Sequence, residues 1–530
     1  MGTGRPSCEL HIGKTYILAG GIPARLALAC ALLIVSLSGA CGKARDTSAV
    51  NFLIESMPIN LDPRIGTDAQ SEHVDALMFD SLVARDAQLN IVPDLAERWE
   101  TPDPRTYVFH LWRGVKFHDG RVLTSADVKF TFDSILSGAV RSLKRGTFPL
   151  VESIDAPDDA TIVFHLSAPH ASFLFEMARP AVGIVPKDSG PDFARHPIGT
   201  GPFRFVSMAQ DDEIVLERNP DYFGGRGPGN IERVRFRVVP DEVVRALELR
   251  KGTADIGGVN SLTPDTVLAL AKQPGIAVDE QPGTVVAYVA LNFDDPILAH
   301  REVRRALAHA TDRATIIHYL LRDEARPASS LLPPNHWAYE PNVAQYDYDP
   351  AEAERLLDAA GFPRGPDGVR LHLTLKTSTD ESVRLLGTVL ADQWKRVGVA
   401  LELRPLENAT FQSDIGRGSF QLYTLRWVGA NNDPAIFDYV FSSKRMPPDG
   451  ANRGHYHNPA VDALLAQQAV EMDPVKRRAI LSELQKTIAE DEPYINLWFY
   501  NNVCVHRDRI TGIVIPPGGD YDFLETAELK

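Results

Sequence analysis

The stretch "WRGVKFHDGRVLTSADV", residues 112–128, contains a chain reversal between two periodic patterns. On its N-terminal side, residues 106–111 alternate apolar and polar side chains, which is the period of a half-buried β-strand. On its C-terminal side, Thr124 and Asp127 have the spacing of a helix cap, and apolar residues follow at helical intervals. The turn itself contains Gly120, and glycine adopts positive φ angles without steric strain. The stretch therefore predicts a strand, a tight turn and a capped helix.

His118 and Asp119 stand side by side at this turn, which raises the question of an acid–base pair. A general base needs an orienting partner and an enclosed pocket, and the sequence offers no Ser or Cys nucleophile beside this pair. No Walker loop, HExxH, GxSxG or paired CxxC motif occurs in the chain. We interpret His118 and Asp119 as the polar corner of a hairpin and predict a protein that is not an enzyme.

A metal site has one weak candidate. His455 and His457, in "GHYHN", are two residues apart and would share a face if they lay on a strand. Neither a Cys nor a third His stands near them, so we interpret the segment as a polar loop. We predict no metal and no cofactor.

The charge balance excludes one class of partner. The 530 residues carry 70 acidic and 55 basic side chains, for a net charge of −15. Removal of residues 1–40 would remove three basic residues and one acidic residue, leaving −17. Such an acidic chain is poorly suited to binding nucleic acid, whose phosphates require Lys and Arg. The length favours two or three domains.

The N-terminal stretch "ARLALACALLIVSLSGAC" predicts export. Its apolar run, residues 26–37, is too short to span a bilayer and has the layout of a secretory signal. Small residues precede Cys41 as in a bacterial lipobox, although Ser38 stands where Leu is commoner. We predict that residues 1–40 are a signal peptide and that Cys41 is lipidated, so that the protein is membrane-anchored in the periplasm or at the cell surface. The alternative is an ordinary signal peptide with an incidental Cys.

Helix and strand signals continue along the rest of the chain. In "YDPAEAERLLDAAGF", Asp349 is placed to cap a helix and Gly361 to end it. Residues 371–377, a helix over 381–397 and the strand after it read as a βαβ unit. Cys504 is the only Cys after Cys41 and reads as a buried small apolar residue. The overall class is α/β with mixed sheets.

Eight segments together resemble one family, although each alone is weak. They are "LDPRIGTD", "PDLAERWE", "FHLWRGVKFHDGRVLTSADVKF", "PIGTGPFRF", "RNPDYFGG", "VALNFDDPILAHREVRRALAHATDR", "YDPAEAERLLDAAGF" and "RWVGANNDP". In this order they resemble the bacterial extracellular solute-binding proteins of the dipeptide, oligopeptide and nickel type, family 5, which serve ABC importers. The resemblance covers nearly the whole mature chain.

The resemblance implies a two-lobed periplasmic-binding-protein clamshell with an extra subdomain in the first lobe. The implied boundaries are residues 48–287 for lobe I with its subdomain at about 66–197, residues 288–494 for lobe II, and residues 495–530 for a C-terminal return to lobe I. The two crossings, near Tyr288 and Pro493, would form the hinge. Ligand binding between the lobes would favour the closed state.

The resemblance also implies a ligand site. The implied ligand-binding residues are Thr67, Asp68, Ala69, Arg426, Trp427, Val428, Gly429, Ala430, Asn431, Trp498 and Tyr500. The first three would line one side of the cleft and the loop after Trp427 the other. For each aromatic side chain the alternative is packing in the core.

One position departs from the family pattern. In the peptide binders, the Trp is followed three positions on by an Asp that pairs with the ligand's α-ammonium, whereas this chain has Ala430 there. Either Asp433 or Asp68 takes over that role, or the ligand has no free amine at that point and Arg426 meets a carboxylate. Asp433 has an alternative role as a helix cap. The departure favours cargo other than short peptides held by the usual amine contact.

We therefore expect a monomeric, lipid-anchored binding protein that captures peptides or peptide-like solutes and delivers them to an ABC transporter permease. One alternative is a binding protein for a metal chelate, a sugar or a haem-like molecule. Another, from a different class, is an exported hydrolase.

Overall fold

The computed structural model describes residues 49–178, 182–225, 227–429 and 432–530. The leader and Cys41 lie outside the described residues, as do Ala430 and Asn431, so the predictions that concern them stay predictions.

The chain alternates strands and helices throughout. The strands are β1 (Ala49–Ile54), β2 (Val83–Arg85), β3 (Ile91–Pro93), β4 (Ala96–Asp103), β5 (Thr106–Leu111), β6 (Val151–Asp158), β7 (Thr161–Leu166), β8 (Phe203–Ala209), β9 (Glu213–Arg218), β10 (Arg233–Val238), β11 (Ile256–Val259), β12 (Ile276–Leu291), β13 (Ala325–Pro327), β14 (Leu371–Ser378), β15 (Val399–Leu406), β16 (Leu422–Trp427), β17 (Tyr494–Arg507), β18 (Ile510–Thr511) and β19 (Glu528–Leu529). The helices are α1 (Ala69–Met78), α2 (Ser125–Leu136), α3 (Phe173–Met177), α4 (Glu242–Lys251), α5 (Pro264–Leu270), α6 (Arg301–His309), α7 (Arg313–Leu320), α8 (Pro350–Ala359), α9 (Glu381–Arg396), α10 (Asn408–Gly416), α11 (Ile436–Phe441), α12 (Pro459–Val470), α13 (Pro474–Asp491) and α14 (Phe523–Thr526).

One large mixed sheet runs through the molecule. Its order is β15-β14-β16-β12-β17-β11-β1-β10-β9-β8, and β13 also pairs with β17. The pairs β1–β10 and β14–β15 are parallel, whereas β12 and β17 are antiparallel to each other. The prediction of an α/β chain with mixed sheets is confirmed.

The two central strands, β12 and β17, join two halves of the sheet. They pair from Ile276 opposite Arg507 to Ala290 opposite Tyr494, with a break in register between Pro282 and Val286. We call residues 49–282 with 501–530 the first half, and residues 286–499 the second half. Since both strands continue past the break, they are the connections between the halves.

Separate hydrophobic cores lie on the two sides of this break. In the first half, one core surrounds β1 and β10 and includes the buried Cys504. In the second half, alternate residues of β12 enter two cores on opposite faces of the sheet. A further core belongs to the small antiparallel sheet β4-β5-β7-β6, against which α2 packs.

The local prediction for residues 112–128 is confirmed. β5 ends at Leu111, α2 begins at Ser125, and the turn between them contains Gly120 with φ of 87°. The Asp127 carboxylate accepts hydrogen bonds from the backbone N–H of Thr124 at 2.8 Å and from its hydroxyl at 2.9 Å. Because the cap and the turn are built from neighbouring residues, their chemistry was visible in the sequence.

His118 has a structural role at this turn. Its Nδ1 accepts the backbone N–H of Gly199 at 3.2 Å, and its Nε2 lies 3.0 Å from the carbonyl oxygen of Gly201. Burial lowers the pKa of His118 to about 4, so the ring is neutral at physiological pH. Asp119 pairs instead with Arg121 at 2.7 Å. These bonds tie the hairpin to a neighbouring segment, as expected of a structural corner.

The other predicted elements are also present. Asp349 caps α8 by accepting the N–H of Glu352 at 3.0 Å, and Gly361 follows the helix with φ of 85°. The predicted βαβ unit is β14–α9–β15. His455 lies 2.5 Å from Asp294, and the described residues contain no cluster of three or more metal-ligating side chains. Within the same ranges, no helix has the length and apolar composition needed to cross a bilayer.

Candidate ligand-binding site

A cavity of about 610 Å³, which we call the cleft cavity, lies beside the crossing strands. The first half contributes the end of α1, the β2–β3 hairpin, the segment around residues 514–525, and Gln281 and Pro282 of β12. The second half contributes Asn335 and Asn432. The volume is within the range of roughly 300–1,000 Å³ that is usual for small-molecule sites.

Carboxylates cluster on the first-half wall of the cleft cavity. Asp80 is 7% exposed and accepts hydrogen bonds from the hydroxyls of Thr200 at 2.6 Å and Tyr222 at 3.2 Å. Burial raises the pKa of Asp80 to about 6 despite these bonds. Asp94 accepts the N–H of Ser81 at 2.8 Å, and burial together with the Asp80 charge raises its pKa well above the ordinary value.

The C-terminal segment adds three more carboxylates to this wall. Asp520 lies 3.2 Å from Nδ1 of His73; burial opposes ionisation, but this contact holds the pKa of Asp520 below its usual value. Asp522 is solvent-exposed, yet desolvation by the surrounding protein and repulsion from Asp520 and Glu525 raise its pKa above the ordinary value. Burial also raises the pKa of Glu525. Among the described lining residues, the only basic side chain is that of Arg85.

The second-half wall presents two side-chain amides. Asn335 donates from Nδ2 to the carbonyl oxygen of Ala87 at 3.1 Å, which is a contact between the halves. Asn432 is 7% exposed, and its backbone carbonyl oxygen lies 3.2 Å from Nε2 of His336. In the part of the chain that the structure describes, the Oδ1 atoms of both amides have no hydrogen-bond partner. The two lining residues of this wall therefore each carry a buried amide oxygen that has no described donor.

A buried polar network joins the halves beside the cavity. The Ser172 hydroxyl donates to Oδ1 of Asp433 at 2.8 Å, and the Arg477 guanidinium donates to the Ser172 hydroxyl at 2.9 Å. Arg477 also donates to the carbonyl oxygen of Ala171 at 3.1 Å. Ser172, Asp433 and Arg477 are all less than 9% exposed. Ser172 comes from the first half and its two partners from the second, so these bonds hold the halves together.

The predicted loop before α1 lies away from the described lining of this cavity. Thr67 and Ala69 are exposed, and Asp68 caps α1 by accepting the N–H of Ser71 at 3.0 Å. The other end of the same helix, at Ala76 and Leu77, reaches the cavity. The assignment of these three residues to the ligand stays a prediction.

The predicted residues of β16 point to opposite faces of the sheet. Trp427 is half-buried and stacks on Tyr288, with ring centroids 6.0 Å apart, while the Arg453 guanidinium lies 5.8 Å from its ring. Arg426 is exposed on the other face, as successive residues of a strand must alternate. Val428 and Gly429 are exposed in the loop that follows.

Trp498 and Tyr500 share a face with Arg426. Ala287 of β12 lies opposite both Arg426 and Trp498, and directly opposed residues of antiparallel strands lie on one face. Trp498 is 1% exposed and belongs to a core of the second half, with Tyr500 edge-on to it at 6.1 Å. In this structure, therefore, Trp498 packs in the core, which was the alternative to ligand binding.

None of the predicted site residues that the structure describes lines the cleft cavity, although Asn432 directly follows the predicted loop. The carboxylate wall was missed. Its only local signal is the run Asp520, Asp522 and Glu525, and nothing in the sequence placed that run beside Asp80 and Asp94.

Two halves joined by paired crossing strands, with a cavity walled by both, define a two-lobed binding protein of the clamshell type. The chain belongs to one family of this class, because its residues 90–447 match the model described as Bacterial extracellular solute-binding proteins, family 5 Middle. The resemblance drawn from the motifs is confirmed. Since the family binds solutes, the prediction that the protein is not an enzyme is also confirmed.

Named relatives cover most of the chain. Heme-binding protein A of Haemophilus influenzae is 29% identical over 465 residues, covering 82% of this chain and 83% of its own length. The dipeptide-binding protein of Escherichia coli is 26% identical over 502 residues, covering 89% and 93%. The periplasmic binding protein DppA of Helicobacter pylori, solved in complex with the peptide STSA, has a TM-score of 0.71 at 26% identity, covering 91% and 98%.

Proposed function

We propose that the chain captures a peptide or peptide-like solute in the cleft cavity and delivers it to the permease of an ABC importer. The observation that carries the proposal is that both halves wall the cavity, so closure would enclose a ligand between them. Two of the relatives are a dipeptide-binding protein and a structure solved with a peptide, which supports a peptide as cargo.

We propose a hinge at residues 283–285 together with the adjacent part of β17. The break in register between Pro282 and Val286 supports this position, because strand pairing is interrupted there. Tyr288, near which the crossing was predicted, is fully buried and stacks on Tyr494 at 4.2 Å inside a core of the second half. The two lobes would then follow the predicted boundaries except for a few residues at this crossing.

We also propose that a lipid on Cys41 holds the mature protein at the membrane surface, in the periplasm or at the cell surface. The support is the sequence of small residues before that Cys. Stable anchoring requires two acyl chains or more.

Haem is the second candidate cargo, because one relative is named for haem. Haem iron in proteins is usually held by His, Cys, Met or Tyr. Among the described lining residues of the cleft cavity, Tyr222 alone is of these types, and its hydroxyl already donates to Asp80. The lining therefore favours a peptide over haem.

Native mass spectrometry of the protein purified from its natural host tests the proposal. We expect a bound mass that disappears on denaturation and is identified as a peptide, with tight rebinding of that peptide in calorimetry. Stoichiometric haem or a nickel chelate, with no peptide bound, would contradict it.

A further inference from the structure

The cleft cavity contains an excess of hydrogen-bond acceptors and negative charge. Its first-half wall carries Asp80, Asp94, Asp520, Asp522 and Glu525. Asp80 has two hydroxyl donors, Asp94 has the backbone N–H of Ser81, and Asp520 has the His73 ring. Like charges gathered on one wall repel one another, and more strongly where the protein partly shields them from bulk water.

The opposite wall points to the same kind of ligand independently. Asn432 is nine-tenths buried and lines the cavity, yet its Oδ1 accepts no hydrogen bond from any group in the described ranges. Oδ1 of Asn335, on the same wall, likewise accepts no hydrogen bond from any described group. Buried polar atoms in proteins almost always have a partner, so two acceptors without donors indicate a site for a donor-rich ligand.

We propose that the ligand places a cationic group, a guanidinium or an ammonium, between the carboxylates of Asp94, Asp522 and Glu525 and the amide oxygens of Asn335 and Asn432. This inference rests on the proposed function, because it names the chemical class of the captured solute. Such a group donates several hydrogen bonds and accepts none, which matches both walls. The site differs from the predicted contact at position 430, because its charge comes from the first half.

The cation has two possible sources in a peptide, a basic side chain or the free α-amino group. Both present N–H donors with positive charge. The experiment must therefore vary them separately.

Binding should also release protons. Asp80, Asp94, Asp522 and Glu525 have raised pKa values in the ligand-free protein. Besides one another, the charged groups that act on them are Asp520, His73, Arg85 and Arg218, and Thr200 and Tyr222 donate their hydroxyls to Asp80. A bound cation favours the ionised carboxylates and lowers these pKa values. Protons then leave near pH 6–7, and affinity falls as the pH drops below that range.

The test uses four peptide pools of two to five residues that differ at single positions. One contains Arg, one contains its neutral isostere citrulline, one contains Glu, and the fourth is the Arg pool with acetylated N-termini. Calorimetry at pH 7.5, in buffers of low and high ionisation enthalpy, gives both affinity and proton release. We expect the Arg pool to bind at least about tenfold tighter than the Glu pool and to release protons. A loss on replacement by citrulline assigns the cation to the side chain, and a loss on acetylation assigns it to the terminus.

Variants locate the effect. Asp522→Asn and Asp94→Asn should each reduce the preference for the cationic pool by about tenfold. Asp508→Asn removes the same charge from an exposed position outside the cavity and should change nothing. Thermal unfolding of the ligand-free variants is the folding control, and Asp522→Asn should not lower the melting temperature, because it removes a repelled charge.

The outcomes separate the two proposals. Equal or tighter binding of the Glu pool, or a full preference retained in both cavity variants, would overturn the cationic ligand while leaving peptide capture intact. Failure of all four pools to bind folded protein would overturn peptide capture, and the inference about its ligand with it.

Discussion

The hydroxyl of Ser172 offers the sharpest test of closure. It donates to Asp433 and accepts from Arg477, so that a single atom of the first half joins two charged groups of the second. Ser172→Ala removes both bonds and leaves the two partners buried without that contact in the closed form. In the open form water would solvate Asp433 and Arg477, so the substitution should cost little there.

The magnitude follows from the two bonds. Hydrogen bonds to charged groups contribute about 1.5–3 kcal/mol each, and part of the loss is recovered by rearrangement. We expect a net change of about 2–3 kcal/mol against the closed form, which corresponds to roughly 30- to 150-fold weaker ligand binding if the ligand is held only when the halves close.

Calorimetry measures the predicted loss of ligand affinity, and small-angle scattering measures the predicted effect on closure. With the peptide that co-purifies, the wild type should contract on binding, and Ser172→Ala should bind more weakly and need more ligand to reach the same radius. Ser167→Ala is the matched control, because its exposed hydroxyl lies 3.4 Å from the carbonyl oxygen of Leu150 within the first half. Unchanged affinity and contraction in Ser172→Ala, at unchanged unfolding free energy, would refute the role of this network in closure.

Three further predictions concern separate parts of the chain. Cys41→Ser should move the protein from the membrane to the soluble fraction, and retention at the membrane would show that the lipid prediction is wrong. His118→Ala should lower the free energy of unfolding in urea by about 2 kcal/mol, because the buried N–H of Gly199 loses its acceptor and the carbonyl oxygen of Gly201 loses one of two donors, and it should leave ligand affinity unchanged. Because the pKa of His118 is about 4 in the folded protein and near 6.5 when unfolded, its contribution is present above pH 6.5 and is lost as the pH falls towards 4. Wild-type stability should therefore fall by on the order of 3 kcal/mol more than that of His118→Ala over this window, and parallel pH profiles would contradict the assignment. If Oδ2 of Asp433, a buried oxygen with no described hydrogen-bond donor, holds a ligand ammonium, Asp433→Asn should remove any preference for free over N-acetylated peptide, and Ala430→Asp should restore it. A preference unaffected by either change would place the ammonium elsewhere.

The elements that the sequence predicted are those whose causes are local. The cap of α8 needs only Asp349 and the backbone three residues on, and the turn at Gly120 needs only its own φ angle. α13 begins for the same kind of local reason, because the Asp473 side chain accepts the N–H of Val475 at 2.9 Å. Such local signals can be read from the sequence because they do not depend on how the helices and strands pack together.

The site depended on information that no local pattern contains. The alternation along β17 predicts that Trp498 and Phe499 face opposite sides, but both sides of this sheet are buried in the second half, so alternation could not distinguish core from cleft. The carboxylate wall joins Asp80 to Glu525, more than 400 residues apart in sequence. Their proximity is a property of the C-terminal return to the first half.

For Asp433, the sequence left two roles open, a helix cap and a partner for a ligand ammonium. Its Oδ1 accepts the N–H of Ala435 at 2.6 Å in the turn before α11, whose N-cap is Ala435 itself, so Asp433 does not cap the helix directly. The same atom also accepts from Ser172, so this turn is part of the contact between the halves. Asp68 differs, because hydrogen bonds from Ile59 and Ser71 occupy both of its oxygens. Of the two carboxylates considered for a ligand ammonium, only Asp433 therefore retains an oxygen to which no described group donates a hydrogen bond.

The charge distribution suggests why closure and capture would depend on each other. Without a ligand, bringing the halves together encloses the carboxylates of the first half against two amide oxygens of the second that have no described donor, although Nδ2 of Asn335 donates to the carbonyl oxygen of Ala87 across the halves. That arrangement opposes closure, whereas the bonds of Ser172 favour it. A cation in the cavity would satisfy both walls at once and remove the opposing contribution. A ligand closes such a protein only if it binds the closed form more tightly than the open form, and the acidic wall would supply this difference in affinity. The Ser172 network, which favours closure without a ligand, would set how large the difference must be for the ligand to close the halves.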